Sequence, residues 1–455
     1  MNSHPPTPPA RGVLSRRNLL RGGLAAGGLG LVAATAGCGS PLAAGLAGSQ
    51  LDPGTVTFWN LFGGGDGARL QTMLDEYRQQ QSRPDSLVAA TFAWGNPYYT
   101  KVSLATIGDQ PPDVAVAHLT RAANLAQAGL LTPITEDMLS TVGLTSADFN
   151  QKVWAAQKVN DQDWTVPLDT HPFVMFYNVD VCQKAGLLDG EGKLKPIQGV
   201  EEWEAALKAA KQATGGLGLS VANVNEFATP WRFFQTLYSQ QEGATDFLSD
   251  GGTKITFNED LTAKTLEYIQ KLANDGLISK AADYAGSQTD MFTGKSAFYL
   301  QGEWEITTAQ GIKDLKFGMV PVPTVFDKPA AQADSHTFVL PKMERSPEQV
   351  QRAMGFIKSM LDQSMTWAAG GHVPAYLPTL DSDEYKALEP QADYASAADV
   401  AVYDAPAWYS GSGSNFENIV GAQIGLVQQG LSSPSAAISS IRSQLQSYAS
   451  TANPL

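Results

Sequence analysis

Short apolar segments recur along the chain and have the composition of β-strands. Residues 55–59, 87–92 and 173–177 are rich in β-branched or other apolar residues, including aromatic ones, which favours extended structure. Residues 113–117 form a continuous run that is mostly apolar, the pattern of a strand buried on both faces of a parallel sheet. All four segments are therefore predicted to be strands.

The segments between these strands have the helical period. Residues 69–80 and 201–214 place their apolar side chains at spacings of three and four, on one face of a helix. Asn258 is a favourable N-cap for a helix over residues 259–273, and residues 346–349 have the form of a capping box that opens another helix. Because strand and helix patterns alternate, the chain is predicted to belong to the α/β class.

The first 37 residues have the layout of an export signal. Arg16 and Arg17 precede an apolar stretch over residues 22–36, and small residues then lead to Cys38. The paired arginines indicate the twin-arginine route, and the stretch is shorter than the roughly 20 residues that cross a bilayer. The small residues before Cys38 resemble the lipobox of bacterial lipoproteins, in which this cysteine is acylated. Ordinary cleavage near Cys38 is the alternative, and residues 38–53 are predicted to be a flexible tether.

Length and charge limit the classes of partner. Removal of residues 1–37 would leave 418 of the 455 residues, which suits two lobes better than one core. It would also remove four arginines and no acidic residue, so that the net charge would change from −14 to −18. Such a surface repels phosphate backbones, and nucleic acid is not expected as a partner. With Cys38 acylated, Cys182 would have no disulfide partner, and its apolar neighbours predict that it is buried.

Seven short motifs follow one another in an order that is typical of one family. They lie at residues 56–59, 111–114, 128–133, 176–180, 294–298, 302–304 and 371–374. In this order, and behind a predicted lipobox, they resemble the extracellular solute-binding proteins of sugar ABC transporters, the group that contains maltose-binding protein. The resemblance extends from about residue 52 to the C-terminus.

The resemblance implies a two-lobed, type II-like periplasmic-binding-protein fold, with a hinge and a ligand cleft between α/β lobes. Carried over to this sequence, it implies that lobe 1 contains residues 52–170 and 304–361 and that lobe 2 contains residues 171–303 and 362–455. The chain would cross the hinge just before Phe173, at Gly302-Glu303-Trp304 and near Leu361.

The implied function is that of a receptor and not of an enzyme. Such a protein would be a monomeric lipoprotein without a cofactor, anchored through Cys38 to the outer face of the cell membrane. It would capture a mono- or oligosaccharide by lobe closure and deliver it to the permease of an ABC transporter. One alternative is a secreted glycoside hydrolase, which needs two carboxylates across the bond, such as Asp66 and Glu303. Another is a binding protein for a non-sugar solute, such as a glycerol phosphate ester or ferric iron, for which Tyr98 and Tyr99 supply an adjacent tyrosine pair.

The candidate ligand contacts are planar polar side chains, which match sugar hydroxyls, and aromatic rings, which match the C–H face of a sugar. The resemblance places stacking aromatics at Trp304 and Trp231, and polar contacts at Thr120, Arg121 and Asp66, the last in the Gly-rich turn 63–67. The remaining candidates follow from their positions near the cleft: Asp169, His171, Glu303, His372, Trp408, Tyr409 and Asn415.

Several candidates have a plainer alternative. Asp66 would then be a turn residue and Trp231 a core residue. Arg121 would be a solvated helix residue, Glu303 a hydrogen-bond partner in the hinge, and His171 a structural histidine. Trp94, Tyr98 and Tyr99 are weaker candidates for the same cleft.

Catalytic and metal motifs are not found in the sequence. It lacks G-x-S-x-G, H-E-x-x-H and a Cys/His cluster with metal-ligand spacing. Its five histidines are far apart along the chain and are interpreted as scattered. Neither a catalytic site nor a metal site is therefore predicted.

Overall fold

The structure of the protein is a computed structural model that describes residues 54–80 and 87–454. The predicted signal segment, Cys38 and the predicted tether lie outside the described residues. Within these ranges no helix is both long and apolar enough to span a bilayer.

Short strands alternate with helices along the chain, which confirms the predicted α/β class. The strands are β1 (Val56–Asn60), β2 (Leu87–Thr91), β3 (Val114–His118), β4 (Val166–Pro167), β5 (Asp169–Asn178), β6 (Leu217–Ser220), β7 (Leu248–Ser249), β8 (Lys254–Ile255), β9 (Ser296–Gly302), β10 (Phe317–Pro321), β11 (Ala331–Asp334), β12 (His336–Val339), β13 (Val373–Pro374) and β14 (Ala401–Val402).

The α-helices vary from one turn to about four or five turns in length. They are α1 (Gly64–Gln80), α2 (Asn96–Ile107), α3 (Leu119–Gln127), α4 (Glu136–Ser140), α5 (Gln151–Ala156), α6 (Val179–Lys184), α7 (Gly199–Thr214), α8 (Ala228–Ser239), α9 (Glu259–Asn274), α10 (Tyr284–Phe292), α11 (Ile306–Gln310), α12 (Pro347–Asp362), α13 (Ser364–Ala368), α14 (Leu377–Leu380), α15 (Asp383–Lys386), α16 (Gln391–Tyr394), α17 (Asn415–Gln429) and α18 (Pro434–Ala449). Short 3-10 helices lie at Ser146–Asp148, Asp250–Gly252, Glu303–Glu305 and Ala395–Val400.

The first sheet has the strand order β2-β1-β3-β12-β4. β1 pairs in parallel with β2 and β3, whereas β12 runs antiparallel to β3 and β4. Its side chains share one core with α1 and α12, in which Phe58, Leu70 and Phe356 are buried. Because β1, β2 and β3 are parallel, the loops that follow them emerge at the same edge of the sheet.

The second large sheet is built around the ten-residue strand β5. Its order is β14-β11-β5-β9-β6, and β10 and β13 also pair with β5. A separate core joins this sheet to the helices α7, α8, α9, α17 and α18, and it contains Phe298, Phe234, Leu266, Val420 and Ile441. β7 and β8 form a small hairpin of their own.

The polypeptide crosses between the two large sheets at two adjacent points. β4 belongs to the first sheet and β5, after Leu168, to the second; β11 belongs to the second sheet and β12, after Ser335, to the first. Ser335 Oγ donates a hydrogen bond to the Asp169 carbonyl at 2.5 Å, and the His336 N–H donates to Asp169 Oδ1 at 2.8 Å. These bonds hold the two crossings side by side.

Sheet membership differs from the predicted lobe division in one segment. The prediction assigns residues 304–361 to lobe 1, whereas β10 and β11 lie in that range and pair with β5 in the second sheet. The pairing of β10 with β5 buries Met319 in a core beside Phe176. We propose hinge crossings at Leu168 and Ser335, and a third crossing after α13, between the first core and β13.

Two helices begin at the caps that the sequence predicts. The Asn258 side chain accepts hydrogen bonds from the N–H groups of Asp260 and Leu261 at the start of α9. Ser346 and Gln349 form the predicted capping box at the start of α12.

Two other local features concern glycine and cysteine. The segment 63–67, predicted as a Gly-rich turn, contributes the first turn of α1, which begins at Gly64. Asp66 lies in that first turn, where the positive end of the helix dipole favours a carboxylate.

Cys182 is buried, as predicted.

Candidate functional site

A cavity of about 350 Å³ lies between the two large sheets. It is bounded by segments that follow β1, β2 and β3, by the facing ends of β5, β9 and β12, and by the start of α8. The lining residues are Leu61, Phe62, Gly63, Asp66, Trp94, His118, His171, Glu226, Ala228, Arg232, Tyr284, Gln301, Trp304 and His336. Three predicted ligand contacts, Asp66, His171 and Trp304, are among them.

Trp304 presents a partly exposed indole to this cavity. Its Nε1–H donates to the Tyr284 hydroxyl at 3.2 Å, and the Arg232 guanidinium carbon lies 4.8 Å from its ring centroid. A Cβ on Gly302 would overlap the ring, so glycine at that position lets the indole lie against the end of β9. The ring is thus held by Tyr284, Arg232 and the end of β9, and it remains partly exposed to the cavity.

A buried histidine connects three of the predicted carboxylates behind the cavity wall. His372 Nε2 forms a hydrogen bond with Asp66 Oδ1 at 3.1 Å, and its Nδ1 lies 3.0 Å from Glu303 Oε1 and 3.3 Å from Asp169 Oδ2. The chain approaches Glu303 closely because Gly371 has a φ of 112°, and a Cβ there would overlap the Glu303 carbonyl. His372, Glu303 and Asp169 are fully buried, so they can act on a ligand only through residues that line the cavity.

Burial and neighbouring charges shift the pKa values of these groups in opposite directions. Burial would lower the pKa of His372, but Asp66, Glu303 and Asp169 together raise it well above its ordinary value. Burial raises the pKa of Glu303 to about 7, although His372 opposes the change. Burial would also raise the pKa of Asp169, but His336, His372 and the Trp367 indole hold it below its ordinary value. The cluster therefore holds a protonated imidazole among carboxyl groups.

The histidines are not scattered, contrary to the interpretation from the sequence. His118, His171, His336 and His372 are all buried and meet at the cavity and its rear wall. Register explains the meeting, because His336 is the cross-strand partner of His118 and His171 is the partner of Asp334, two residues before His336. Burial, followed by repulsion from His336, lowers the pKa values of His118 and His171 well below the ordinary value, so both are neutral.

Among the described residues, two groups could hold a metal ion by their composition and spacing. One consists of His118, His171 and His336, and the other of Asp169, His336 and His372; within each group the ligand atoms lie within 4.8 Å of one another.

Four predicted contacts line a second cavity, of about 330 Å³, between α2, α3 and the loop before α17. Arg121, Trp408, Tyr409 and Asn415 line it. Arg121 Nη2 donates to Asn96 Oδ1 at 3.0 Å and its guanidinium stacks on Tyr99 at 4.3 Å. Thr120 is buried beside it and donates to Asp334 Oδ2 at 2.5 Å.

Hydrogen bonds at this second cavity join α2 and α3 to the loop before α17. Arg121 Nη1 donates to the Ser412 carbonyl at 3.4 Å, and the Ser412 N–H donates to Thr120 Oγ1 at 3.2 Å. Asn96 Nδ2 donates to Asn415 Oδ1 at 3.4 Å. The arrangement holds the loop before α17 against α2 and α3, so these residues are placed for contact between sheets and away from the first cavity.

Trp231 lies inside the second core. It is 1% exposed, and its ring packs against Phe247 and Phe416 with centroids 5.0 Å away in each case. Its Nε1–H donates to the buried Asp404 Oδ1 at 2.9 Å. This placement matches the core alternative, and the predicted ligand contact of Trp231 is not among the cavity-lining side chains.

The adjacent tyrosines are held by protein groups. The Tyr98 hydroxyl donates to the Val116 carbonyl at 2.6 Å, within the first core. The Tyr99 hydroxyl lies 2.7 Å from His118 Nδ1. Trp94, the other weak candidate, lines the first cavity and is 48% exposed.

Several residues at the first cavity were not found by reasoning on the sequence. His118 ends β3 and His336 opens β12 without any motif. Arg232 and Tyr284 lie near helix starts that carry no ligand signature. One usable signal existed for His118, which ends the apolar run of a buried parallel strand, at the edge where α/β proteins bind ligands.

The chain is similar to known binding proteins. Residues 93–401, more than half of the chain, match the model of the family described as bacterial extracellular solute-binding protein. The arabinooligosaccharide-binding protein of Bacillus subtilis (strain 168) is 24% identical over 383 residues, which cover 79% of this chain and 81% of the relative.

Solved structures show the same fold. The sugar-binding protein MalE from the phytopathogen Xanthomonas citri has a TM-score of 0.71 at 17% identity and covers 87% of this chain and 97% of its own. UgpB from Mycobacterium tuberculosis, in complex with glycerophosphocholine, has a TM-score of 0.69 at 18% identity and covers 87% and 98%. The two-lobed α/β fold with a cleft is therefore confirmed. Since the family model matches more than half of a chain with this fold and cleft, the chain belongs to the bacterial extracellular solute-binding proteins, as its motifs predicted.

Proposed function

We propose that the protein binds a sugar or short oligosaccharide in the cavity between its two large sheets. Two relatives support this ligand class by name, as an arabinooligosaccharide-binding protein and a sugar-binding protein. The cavity volume of about 350 Å³ is near the lower end of the range for ligand pockets, roughly 300–1,000 Å³, which favours a short ligand.

The partly exposed indole of Trp304 carries this proposal. A sugar ring can lie with its C–H face on the part of the indole that remains exposed, while the Tyr284 hydroxyl accepts the indole N–H and the Arg232 guanidinium lies over the ring. The polar groups around it, among them Asp66, Gln301 and the neutral imidazole of His171, can exchange hydrogen bonds with sugar hydroxyls.

Capture would proceed by closure of the two lobes about the crossings at Leu168 and Ser335. A ligand that contacts residues of both sheets favours the closed state by its differential affinity. The contacts of Arg121 with Ser412 and of Asn96 with Asn415 would add to the closed state without touching the ligand. An ABC permease would then receive the sugar from the closed, monomeric protein.

Thermal-shift measurements on the purified protein with a panel of mono- and oligosaccharides test the ligand class. A sugar present at 100 times its Kd should add roughly 2.7 kcal/mol to stability. Arabinose oligomers, maltose oligomers and a glycerol phosphodiester should be included. Stabilisation by none of the sugars would contradict the proposal.

Catalysis is not part of the proposed function. A glycoside hydrolase needs two carboxyl groups beside the scissile bond, and Glu303 is fully buried behind the cavity and in contact with His372. The sugar that binds most tightly should be recovered intact after long incubation. Release of shorter sugars that is abolished by Asp66→Asn would support the hydrolase instead.

A glycerol phosphate ester is the second candidate ligand, because Arg232 lines the cavity and guanidinium groups bind phosphate oxygens well. Against it, the acidic side chains Asp66 and Glu226 line the same cavity. If the glycerol phosphodiester gives the larger stabilisation in the same panel, this candidate replaces the sugar.

Membrane anchoring through an acylated Cys38 completes the proposal. Cys38→Ser should leave the fold unchanged and release the protein from the membrane fraction. One acyl chain gives only marginal binding, so the proposal assumes the several chains of bacterial lipoproteins. Retention of the variant on salt-washed membranes would show that something other than Cys38 holds the protein there.

A further inference from the structure

Three imidazoles converge on one point of the first cavity. The ring centroids of His118, His171 and His336 are 5.6, 4.9 and 4.3 Å apart in pairs, and all three rings line the cavity while being buried in the protein. They come from β3, β5 and β12, three strands that meet at the hinge, so their positions are fixed by backbone pairing and not by loops.

We propose that His118, His171 and His336 form a binding site for a divalent transition-metal ion, with Zn²⁺ as the representative ion. Imidazole nitrogen is a preferred ligand of Zn²⁺, Cu²⁺ and Ni²⁺. The proposal goes beyond solute binding and does not require that the solute be a sugar.

The spacing of the rings agrees with tetrahedral coordination. With metal–nitrogen distances of about 2.0–2.1 Å, the centroids of two imidazoles on a tetrahedral ion lie about 5 Å apart and their ligand nitrogens about 3.4 Å apart. The observed centroid distances of 4.3–5.6 Å bracket that value. The ligand atoms lie within 4.8 Å of one another, so side-chain rotations that move them by about 1 Å would bring all three onto one ion.

The remaining ring nitrogens are arranged as they are around structural and catalytic metal ions. Metal-binding histidines usually donate the other N–H to a carboxylate or another acceptor, which fixes the tautomer. His336 Nδ1 lies 2.8 Å from Asp169 Oδ2 and His118 Nδ1 lies 2.7 Å from the Tyr99 hydroxyl oxygen. With protons on those Nδ1 atoms, the Nε2 atoms of both rings have lone pairs available for an ion.

His171 supplies an independent indication of a ligand. Its Nε2 is buried and has no hydrogen-bond partner among the described residues. A buried polar atom without a partner is costly, of the order of 1–3 kcal/mol, and such atoms in native proteins usually face an ion, a water or a ligand. An ion bound by the three rings would satisfy this nitrogen.

The neighbouring group of Asp169, His336 and His372 differs in charge and position. His372 Nδ1 also has no hydrogen-bond partner among the described residues, but it lies 3.0 Å from Glu303 Oε1 and 3.3 Å from Asp169 Oδ2, so carboxylates already compensate the charge of this ring, and His372 does not line the cavity. The metal site is therefore assigned to the three rings that line the cavity. Three protein ligands leave a fourth coordination position, which an oxygen atom of a bound solute or water can occupy from the cavity.

Metal titration of the full-length chain, purified without a polyhistidine tag and treated with a chelator, tests the proposal. Calorimetry should show one Zn²⁺ per chain in the absence of sugar, and Co²⁺ should give the visible absorption of a tetrahedral nitrogen-ligated ion. His171→Asn should lower Zn²⁺ affinity by more than the roughly 10–100-fold that is lost when an outer partner of a metal ligand is removed.

Two further variants separate a metal role from a structural one. His4→Asn, the matched control outside the described residues, should bind Zn²⁺ as the unaltered chain does. Tyr99→Phe keeps the ring and removes only the oxygen that orients His118, and it should lower the affinity about tenfold or more and alter the Co²⁺ spectrum. If His171→Asn does not fold, Tyr99→Phe decides the question.

Three results would overturn the proposal. They are the absence of stoichiometric Zn²⁺ binding to the unaltered chain, binding that is unchanged in folded His171→Asn and in Tyr99→Phe, and binding that is lost in His4→Asn. Sugar binding that persists with the chelator present would leave the proposed solute function intact while the metal experiment is decided separately.

Discussion

Two tryptophans that carry the same prediction lie in opposite surroundings. Trp304 keeps part of its ring exposed to the first cavity and donates its N–H to Tyr284. Trp231 is packed between Phe247 and Phe416 and donates its N–H to a buried carboxyl group. A ligand can displace water from the exposed part of the Trp304 indole. The Trp231 indole is already covered by protein side chains, so no ligand can reach it.

The comparison shows where binding free energy can come from. An aromatic ring contributes to ligand affinity only if a face of it is left for the ligand, and it contributes to stability in proportion to the area it buries on folding. We therefore expect the two regions to respond to mutation in different measurements.

The largest effect is expected for Trp231→Ala. It should lower the free energy of unfolding by about 3–5 kcal/mol. The substitution leaves a cavity in the second core and removes the N–H group that donates a hydrogen bond to Asp404. Urea unfolding measures the loss, and Trp231→Phe, which keeps a ring without the N–H, should lose less. A small stability change combined with a large loss of ligand affinity would place Trp231 in the binding site after all.

Trp304→Ala should act on affinity instead. Loss of the stacking face should weaken binding of the best sugar by about 2 kcal/mol or more, which is roughly thirtyfold or more. Calorimetry measures the affinity, and urea unfolding of the ligand-free protein should change far less than for Trp231→Ala. Trp304→Phe, which retains a smaller ring, should be intermediate in affinity; an unchanged affinity in Trp304→Ala would remove this residue from the site.

The next largest effect is a pH dependence that both regions should share, because each contains a buried acid. Burial raises the pKa values of Glu303, behind the cavity, and Asp404, beside Trp231, to about 7. Through these two groups the folded protein binds more protons than the unfolded chain between the ordinary carboxyl pKa and about 7. Stability from these groups is fully present below the ordinary value and is lost as the pH rises through 7.

Glu303→Gln should thus flatten the fall in stability between about pH 5 and 8, by up to about 1.4 kcal/mol per pH unit for one proton. Asp404→Asn is the matched variant in the other region and should flatten the fall in the same window. Urea unfolding across this range checks both. A fall that is equally steep in Glu303→Gln and the unaltered protein would show that Glu303 ionises normally.

The smallest effect is expected at the second cavity. Asn415→Ala removes one long hydrogen bond with Asn96 and should reduce sugar affinity by only about 0.5–1 kcal/mol, through a less stable closed state. The sequence predicts that Asn415 contacts the ligand, and that remains a prediction. A loss of about thirtyfold, comparable to Trp304→Ala, would confirm direct contact.

Much of the local structure could be predicted because its causes are local. Asn258 and Ser346 mark helix starts through hydrogen bonds that span two or three residues. The apolar run at residues 113–117 marks a buried strand by its composition alone. The pairing of β10 with β5 was harder to predict, because it joins residues about 140 positions apart.

The candidate site was predictable only in part. Asp66 follows β1, Trp304 belongs to the motif at residues 302–304 and His171 lies near the start of β5, and the structure brings all three to one cavity. Thr120 and Arg121 also follow a strand end, but they contact the loop at Ser412 instead. A residue that follows a strand lies at a known edge of the sheet. Its place in the sequence does not determine which other segment of the chain packs against that edge.

The sequence by itself determined the α/β class, the helix caps and the family, because periodicity, capping residues and ordered motifs are properties of short segments. Only the tertiary structure decided that the histidines meet, that Trp231 is buried and that Trp304 faces a cavity. The physical reason is register: His118 and His336 are neighbours because β3 and β12 pair antiparallel at that residue, and nothing within either strand specifies the partner.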